Sequence, residues 1–246
     1  MPAPDHLSIF QSADALSHAA AEYIISKAAA SIHANGRFSF VLSGGQTPQM
    51  MYALLSKSAY KERMDWDRVF IFWGDERCVP LNDEQNNAYQ AFTLLLNNVP
   101  IPRANIHRIQ VDLSPGKAAH EYENQLLQYF GKNPQRFDVI LLGLGENGHT
   151  ASLFPGPTIM DDSQAGIKSV YVETEKRFRI SMTAALINQA RHLLFLVTGK
   201  SKAFILNQVL NAPYEPRLYP AQLIRPVDGT IDWYIDEDAA TLLQLK

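Results

Sequence analysis

Short, continuously apolar segments alternate with helical patterns along most of the chain, and this alternation restricts the possible folds strongly. Four such segments span residues 38–42, 68–73, 137–142 and 192–198, and residues 231–235 are a candidate last strand. Strands that are apolar along their whole length are buried on both faces, as in a parallel sheet covered by helices. The sequence therefore predicts an α/β chain built on a parallel sheet.

The segments between these strands carry apolar residues at helical spacing. Helices are predicted at residues 13–32, 48–57, 88–96, 117–130 and 200–210, and two weaker strands at residues 170–173 and 178–182. Because the sequence contains no internal repeat and no long linker, we expect residues 1–246 to form one domain. The predicted architecture is a single doubly wound, mostly parallel sheet with helices on both faces, a Rossmann-like fold.

Composition excludes several classes of protein. The chain has 22 Lys and Arg residues against 25 Asp and Glu residues, so a generally basic nucleic-acid surface is not expected. The single cysteine, Cys78, excludes an internal disulfide framework and a thiolate zinc cage. No secretory signal and no stretch near the ~18 apolar residues of a membrane span is present. We expect a cytoplasmic monomer or homodimer without a nucleic-acid or membrane partner.

Three predicted strands end in loops with distinctive chemistry, at residues 43–48, 74–77 and 143–149. The carboxyl ends of parallel strands lie at one edge of a sheet, and ligands of open α/β sheets bind beyond that edge. We therefore expect the three loops to surround a single site.

The first loop, SGGQTP, is typical of an anion-binding turn. Gly44 and Gly45 allow close approach of the backbone to an anion, Thr47 can cap the next helix, and Pro48 suits its first position. The free amides at the start of that helix would face a phosphate. An ordinary capped strand-to-helix turn accounts for the same pattern equally well.

The other two loops carry candidate reactive groups. In GDER, Asp75 can act as a base or orient one, and Arg77 can hold a phosphate or an oxyanion. The third loop contains GxGxxG, but Pro155 and Pro157 interrupt the helix that a dinucleotide site requires. His149, which follows this motif at a strand end, is a candidate general base. A solvated charged turn and a structural histidine are the competing interpretations.

Neither a metal site nor a P-loop is predicted. The remaining six histidines show no ligand spacing. Gly199-Lys200-Ser201 resembles the end of a P-loop, but Leu194 stands where that motif needs a glycine.

The loops belong to six stretches that follow one another along most of the chain. They are LSGGQTP (42–48), FWGDERCVP (72–80), NNAYQ (86–90), FDVILLGLGENGHTASLFPG (137–156), RISMT (179–183) and LFLVTGKSKA (194–203). Together they resemble the 6-phosphogluconolactonases of the glucosamine-6-phosphate isomerase/deaminase fold superfamily.

The resemblance implies hydrolysis of 6-phospho-D-glucono-1,5-lactone to 6-phosphogluconate, a step of the oxidative pentose phosphate pathway, without a cofactor or a metal. The implied partner is thus a small phosphorylated sugar lactone. The implied catalytic residues are His149, which activates water, together with Asp75 and Arg77. The implied substrate-binding residues are Ser43, Gly44, Gly45, Thr47, Asn87, Arg179 and Lys202.

One departure from the family pattern affects the proposed base. The family usually has Asp two residues before the histidine, and this chain has Asn147. The carboxylate partner of His149 is therefore open, unless Asp75 supplies it. Whether Lys200 or Lys202 faces the phosphate depends on the phase of their helix, and residues 157–170 are a candidate lid.

Two alternative functions remain on this fold. In glucosamine-6-phosphate deaminases and isomerases, a glutamate lies five residues after the histidine, where this chain has Phe154, so the lactonase is favoured. A non-catalytic sugar-phosphate sensor is expected to carry a DNA-binding domain first, and the residues before the first predicted helix leave no room for one. A sensor would also not need His149 beside Asp75.

Overall fold

The structure, a computed structural model, describes residues 6–155 and 163–243, which contain nine strands and eight α-helices. The strands are β1 (His6–Phe10), β2 (Phe38–Leu42), β3 (Val69–Trp73), β4 (Asp75–Arg77), β5 (Val139–Leu142), β6 (Ile167–Val172), β7 (Arg177–Met182), β8 (His192–Val197) and β9 (Thr230–Asp236). The helices are α1 (Ala13–Asn35), α2 (Gln46–Leu55), α3 (Ser58–Lys61), α4 (Asn87–Ala91), α5 (Pro115–Phe130), α6 (Ala184–Ile187), α7 (Ala203–Asn211) and α8 (Glu237–Ala240).

Six strands form the main sheet in the order β1–β9–β8–β5–β2–β3, and every neighbouring pair is parallel. All residues of β2 and β5 are buried, so both faces of the sheet are covered, as the apolar segments predicted. The register places Leu42 opposite Trp73 and Leu142 opposite Phe195. The carboxyl ends of β2, β3, β5 and β8 therefore meet at one edge, which confirms the predicted parallel α/β fold.

A second sheet corrects the expectation of a single sheet. Its order is β4–β7–β6, and both of its strand pairs are antiparallel. β4 is the GDER loop itself, with Asp75 opposite Ser181 and Arg77 opposite Arg179. Three consecutive charged residues carry no apolar strand signal, so β4 owes its conformation to pairing with β7 rather than to its own propensity. The sequence had indicated only a turn there.

Gly74 connects the two sheets. Its N–H donates to the Leu42 carbonyl of the main sheet (3.1 Å), and its carbonyl accepts from the Met182 N–H of the small sheet (2.9 Å). Residues of both sheets, such as Ile71 and Ile180, lie in the same apolar core. The small sheet is therefore held against the carboxyl edge of the main sheet, where the predicted site lies.

Several helix boundaries differ from the sequence prediction. α2 begins two residues earlier than predicted, and the predicted helix 200–210 begins as a 3₁₀ turn, Lys200–Lys202, that becomes α-helical at Ala203. Within the candidate lid, residues 157–162 lie outside the described residues, and residues 167–170 belong to β6. None of the described helices is both long and apolar enough to cross a membrane.

Candidate active site

A cavity of about 790 Å³ opens at the carboxyl edge of the main sheet, between that edge and the small sheet. All three predicted loops line it, and so do Thr174 and Glu175 from the turn between β6 and β7. Nine of the ten predicted site residues line this cavity: Ser43, Gly44, Gly45, Thr47, Asp75, Arg77, His149, Arg179 and Lys202. The tenth, Asn87, does not.

The first loop leads into the start of α2 as predicted, although its cap differs. Gly45, at φ 104°, is the residue that precedes the helix, and no side chain caps it. Thr47 is instead the second helical residue, and its hydroxyl lies 2.7 Å from that of Thr198. Pro48 is the third helical residue rather than the first; its missing N–H costs nothing there, because the first four amides of a helix have no intrahelical partner. With no side-chain cap, the amides at the start of α2 remain available to an anion.

Gly44 is required because another side chain occupies the space beside it. A Cβ at Gly44 would lie 1.9 Å from the Oδ1 atom of Asn87. Asn87 itself is 2% exposed and lies behind the cavity wall, where its Nδ2 donates to the carbonyl of Asp75 (3.0 Å) and to its Oδ1 (3.2 Å). Asn87 therefore does not line the cavity, and its position behind the wall suits a support of that wall; its expected contact with substrate stays a prediction.

Lys202 is the lysine that faces the cavity, which settles the question between Lys200 and Lys202. Lys202 lines the cavity and is half-buried, whereas Lys200 is exposed outside it. The turn is fixed because the N–H of Gly199 donates to both carboxylate oxygens of Asp236 at 3.0 Å. Burial lowers the pKa of the Lys202 ammonium, while the Glu146 carboxylate raises it. Among the described residues Lys202 forms no ion pair, so its charge is available to an anion.

Asp75 and Arg179, which both belong to the small sheet, form a buried ion pair in the cavity wall. Asp75 Oδ2 accepts from the Ser152 hydroxyl at 2.7 Å and lies 3.4 Å from Arg179 Nη1. Glu175 binds the same guanidinium in bidentate fashion, through Nε at 3.0 Å and through Nη2. Arg179 thus has two carboxylate partners, and no hydrogen bond joins Asp75 to His149. The sequence missed Glu175 as a site residue because a charged hairpin turn carries no distinguishing pattern.

Arg77 faces the cavity from β4. Its Nη1 donates to the Gln85 carbonyl at 2.7 Å, and its backbone N–H donates to Glu76 Oε1 at 2.8 Å. Unlike Arg179, Arg77 has no carboxylate partner for its guanidinium among the described residues. It is therefore a second cation that a negatively charged ligand can reach.

The orientation of the His149 ring follows from Asn147. Asn147 Oδ1 accepts the backbone N–H of His149 at 3.2 Å and also lies 2.5 Å from Nδ1 of its ring. Since an N–H can only donate, the atom that faces both nitrogens is the amide oxygen, and Nδ1 must carry the proton. Nε2 is then the unprotonated nitrogen, and no described residue forms a hydrogen bond with it. The partner of His149 is thus Asn147, not Asp75.

His149 is neutral at physiological pH. Burial, followed by the nearby positive charge of Arg179, lowers the pKa of the imidazole from an ordinary 6.5 to about 4. The Asp75 carboxylate acts in the opposite direction, but less strongly. A neutral histidine with a free Nε2 can accept a proton from water, as a general base must.

No cluster of three or more His, Cys, Asp or Glu side chains that could hold a metal is found within residues 6–155 and 163–243. The groups that line the cavity include amides, hydroxyls, the cations Arg77, Arg179 and Lys202, one imidazole and three carboxylates, two of which already pair with Arg179. This set suits a small organic anion.

The fold and the cavity define an α/β protein with a cavity suited to a small anionic ligand at the carboxyl edge of a parallel sheet. Residues 11–233 match the family described as glucosamine-6-phosphate isomerases/6-phosphogluconolactonase, and the chain belongs to this family. The chain is 40% identical over 202 residues to the 6-phosphogluconolactonase of Haemophilus influenzae, covering 82% of this chain and 86% of that protein.

A human protein and a solved structure extend the similarity over nearly the whole chain. The 6-phosphogluconolactonase of Homo sapiens is 32% identical over 249 residues, covering 98% of this chain and 95% of the human protein. The structure of 6-phosphogluconolactonase from Trypanosoma cruzi superimposes with a TM-score of 0.86 at 28% identity, covering 100% of this chain and 99% of that one. The resemblance that the six sequence stretches suggested is therefore confirmed.

Proposed function

We propose that this protein hydrolyses 6-phospho-D-glucono-1,5-lactone to 6-phosphogluconate, a reaction of the oxidative pentose phosphate pathway. Its relatives from Haemophilus influenzae, Homo sapiens and Trypanosoma cruzi are named 6-phosphogluconolactonases, which supports the proposal. The observation that carries the proposal is the neutral imidazole of His149. It has a free Nε2 and shares one cavity with an uncapped helix start and an available lysine. A phosphorylated ester needs both parts of such a site, the helix start and lysine for its phosphate and the imidazole for its ester bond.

The phosphate is held at the end of the cavity formed by α2 and Lys202. The amides that begin α2, with Gly44 and Gly45 before them, donate to phosphate oxygens, and the helix dipole favours negative charge there. Lys202 supplies the opposite charge, and the Ser43 and Thr47 side chains complete this end. Arg179 contributes less to phosphate binding, because Glu175 and Asp75 already pair with it.

The ester reacts at His149. Nε2 accepts a proton from water while the water oxygen forms a bond to C1, and the carbonyl electrons move onto the carbonyl oxygen. Arg77 stabilises this oxyanion. When the tetrahedral intermediate collapses, the bond from C1 to the ring oxygen breaks, and the imidazolium returns its proton to that oxygen.

Substrate binding makes His149 a better base. In the empty cavity its low pKa of about 4 reflects burial and the positive charges of Arg179 and Lys202. A doubly charged phosphate beside Lys202 offsets one of these charges, so the pKa of His149 rises towards neutrality when the substrate is bound. Asp75 remains a carboxylate that holds Arg179 and Ser152 in place.

The test is a lactone assay with freshly made substrate, in which the rate of spontaneous ring opening is subtracted. We expect the purified chain to accelerate hydrolysis and His149→Ala to lower kcat by about 10²–10⁴-fold with little change in KM. His33→Ala, at an exposed histidine of α1 outside the cavity, is the matched control and should retain full activity. Ammonia release from glucosamine 6-phosphate is measured in parallel.

A wild-type rate equal to that of buffer would refute the proposed activity. Turnover of the lactone that survives His149→Ala would leave the activity standing but would refute the role of His149 as the base. Release of ammonia without lactone hydrolysis would instead support a deaminase.

We also propose that residues 1–246 form one domain, which the apolar core shared by both sheets supports. We further propose a cytoplasmic monomer or homodimer that binds a small phosphorylated sugar lactone. The net charge of -3 disfavours nucleic acid as a partner.

A further inference from the structure

The ring of Phe154 contacts both the imidazole of His149 and the guanidinium of Arg179. The centroids of the Phe154 and His149 rings are 4.1 Å apart at an interplanar angle of 20°, so the rings are stacked. On the Phe154 ring, the Arg179 Cζ atom lies 5.1 Å from the centroid. We propose that Phe154 is a positioning residue that acts through His149, fixing the plane of the imidazole and excluding water from one of its faces. This inference rests on the proposed function.

The other contacts of His149 leave one edge of its ring free. Asn147 binds Nδ1, and Gly145 lies so close that a Cβ there would be 2.1 Å from both Nδ1 and Cε1. Phe154 covers one face of the ring. The ring therefore cannot tilt or turn without losing the Asn147 contact or colliding with its neighbours, and Nε2 is held in one direction.

Arg179 prevents Phe154 from favouring the protonated form of His149. An aromatic face attracts cations, typically by ~0.5–1 kcal/mol at exposed sites, and this attraction alone would stabilise an imidazolium. Here the same ring already carries the Arg179 guanidinium, which Glu175 and Asp75 fix in place. A second cation on the ring would be repelled by the first. The net effect of Phe154 on the protonation of His149 is therefore set by the loss of hydration on the covered face of the imidazole, and this loss favours the neutral form.

The charged groups that face His149 come from several elements. Arg179 of β7 and Lys202 before α7 disfavour an imidazolium, while Asp75 of β4 and Glu175 of the β6–β7 turn favour one. Replacing Phe154 removes its contact with Arg179, but Asp75 and Glu175 still hold that guanidinium in place, and none of these charged groups is itself substituted. A shift in the titration of His149 therefore reports the loss of the covering ring.

The experiment compares Phe154→Ala and Phe154→Leu with Phe154→Tyr. The pKa of His149 is followed by NMR of its ring, and the signal is assigned with His149→Gln. In the first two variants we expect this pKa to lie above the wild-type value, moving from about 4 towards 6.5. The acid limb of kcat/KM should move in the same direction, and kcat at neutral pH should fall by roughly 10- to 100-fold as the ring loses its fixed orientation. Phe154→Tyr retains the flat ring, so both the His149 titration and kcat should stay close to the wild-type values.

A merely structural role would lower kcat in all variants without moving the His149 titration, and that result would overturn the proposal. An unchanged pH profile in Phe154→Leu would overturn it as well. If Phe154→Ala does not fold, Phe154→Leu carries the test, because it keeps an apolar side chain without a flat face. If the wild-type chain fails to hydrolyse the lactone, the proposed function fails, while the NMR titration still decides the inference about Phe154.

Discussion

At the scale of single residues, the difference between Lys200 and Lys202 shows how little separates a binding residue from a surface residue. The two lysines are two positions apart in one 3₁₀ turn, yet only Lys202 lines the cavity. The sequence left this choice open because it depends on where the helix begins, and helix boundaries are set by caps and tertiary contacts rather than by apolar spacing.

The matched pair Lys202→Ala and Lys200→Ala tests the phosphate end. We expect Lys202→Ala to raise KM by about 10-fold or more, because a hydrogen bond to a charged group contributes about 1.5–3 kcal/mol. Since Lys202 is proposed to contact the phosphate and not the reacting carbonyl, kcat should change much less than KM. Steady-state kinetics measure both constants, and Lys200→Ala should behave as the wild type. Equal effects of the two substitutions would contradict the assignment.

Asn147 is predicted to set the tautomer of His149. Asn147→Asp places a negative charge beside Nδ1, which favours the imidazolium, so the pKa of His149 should rise and the acid limb of kcat/KM should move to higher pH. Asn147→Leu removes the acceptor for Nδ1, and kcat should fall while KM for the lactone is retained. A pH profile for the Asp variant that overlays the wild-type profile would show that the contact has no influence on the base.

At the scale of elements, the carboxyl edge of the sheet could be predicted and the small sheet could not. Continuous apolar strands required a parallel sheet, and that geometry brought the loops that carry Gly44, Asp75 and His149 together. The pairing of β4 with β7 depends on residues about 100 positions apart, and no local pattern in GDER reveals it. The contact of Asn87 with Asp75 could not be predicted for the same reason, since it depends on how α4 packs behind β4.

The contact between the first loop and α4 can be tested by a double-mutant cycle. Gly44→Ala would place a Cβ 1.9 Å from Asn87 Oδ1, so the free energy of unfolding should fall by about 1–3 kcal/mol, as is typical of overpacking. In the Asn87→Ala background the collision is absent, and the same substitution should cost clearly less. Urea unfolding followed by circular dichroism gives the four free energies.

Gly116→Ala is the control for this cycle. A Cβ at Gly116 meets no atom within 4 Å, so the substitution in α5 should be neutral or stabilising. Strictly additive effects of Gly44→Ala and Asn87→Ala would show that the two residues are not coupled.

At the scale of the whole molecule, the buried carboxyl of Glu76 links stability to pH. Its oxygens accept the backbone N–H groups of Asn87, Ala88 and Arg77, so it joins β4 to the start of α4. Burial nevertheless outweighs these donors and raises the pKa of Glu76 from 4.5 to about 7. Between these two values the folded chain keeps a proton that the unfolded chain has lost.

The contribution of Glu76 to the free energy of unfolding should therefore fall as pH rises from about 4.5 to about 7, and remain constant above that range. Urea unfolding of the wild type and of Glu76→Gln across this range measures it. Glutamine cannot titrate, so the difference in stability between the two proteins should change with pH in that window. If this difference is the same at pH 5 and at pH 8, Glu76 does not titrate there.

Gly74, whose backbone bonds to both sheets, has a consequence for any ligand in the cavity. The phosphate end belongs to elements of the main sheet, while Asp75 and Arg179 project from the small one. A ligand that contacts both groups of residues links the two sheets across their junction. A bound ligand should therefore make local separation of the two sheets rarer, and limited proteolysis at their junction should slow down.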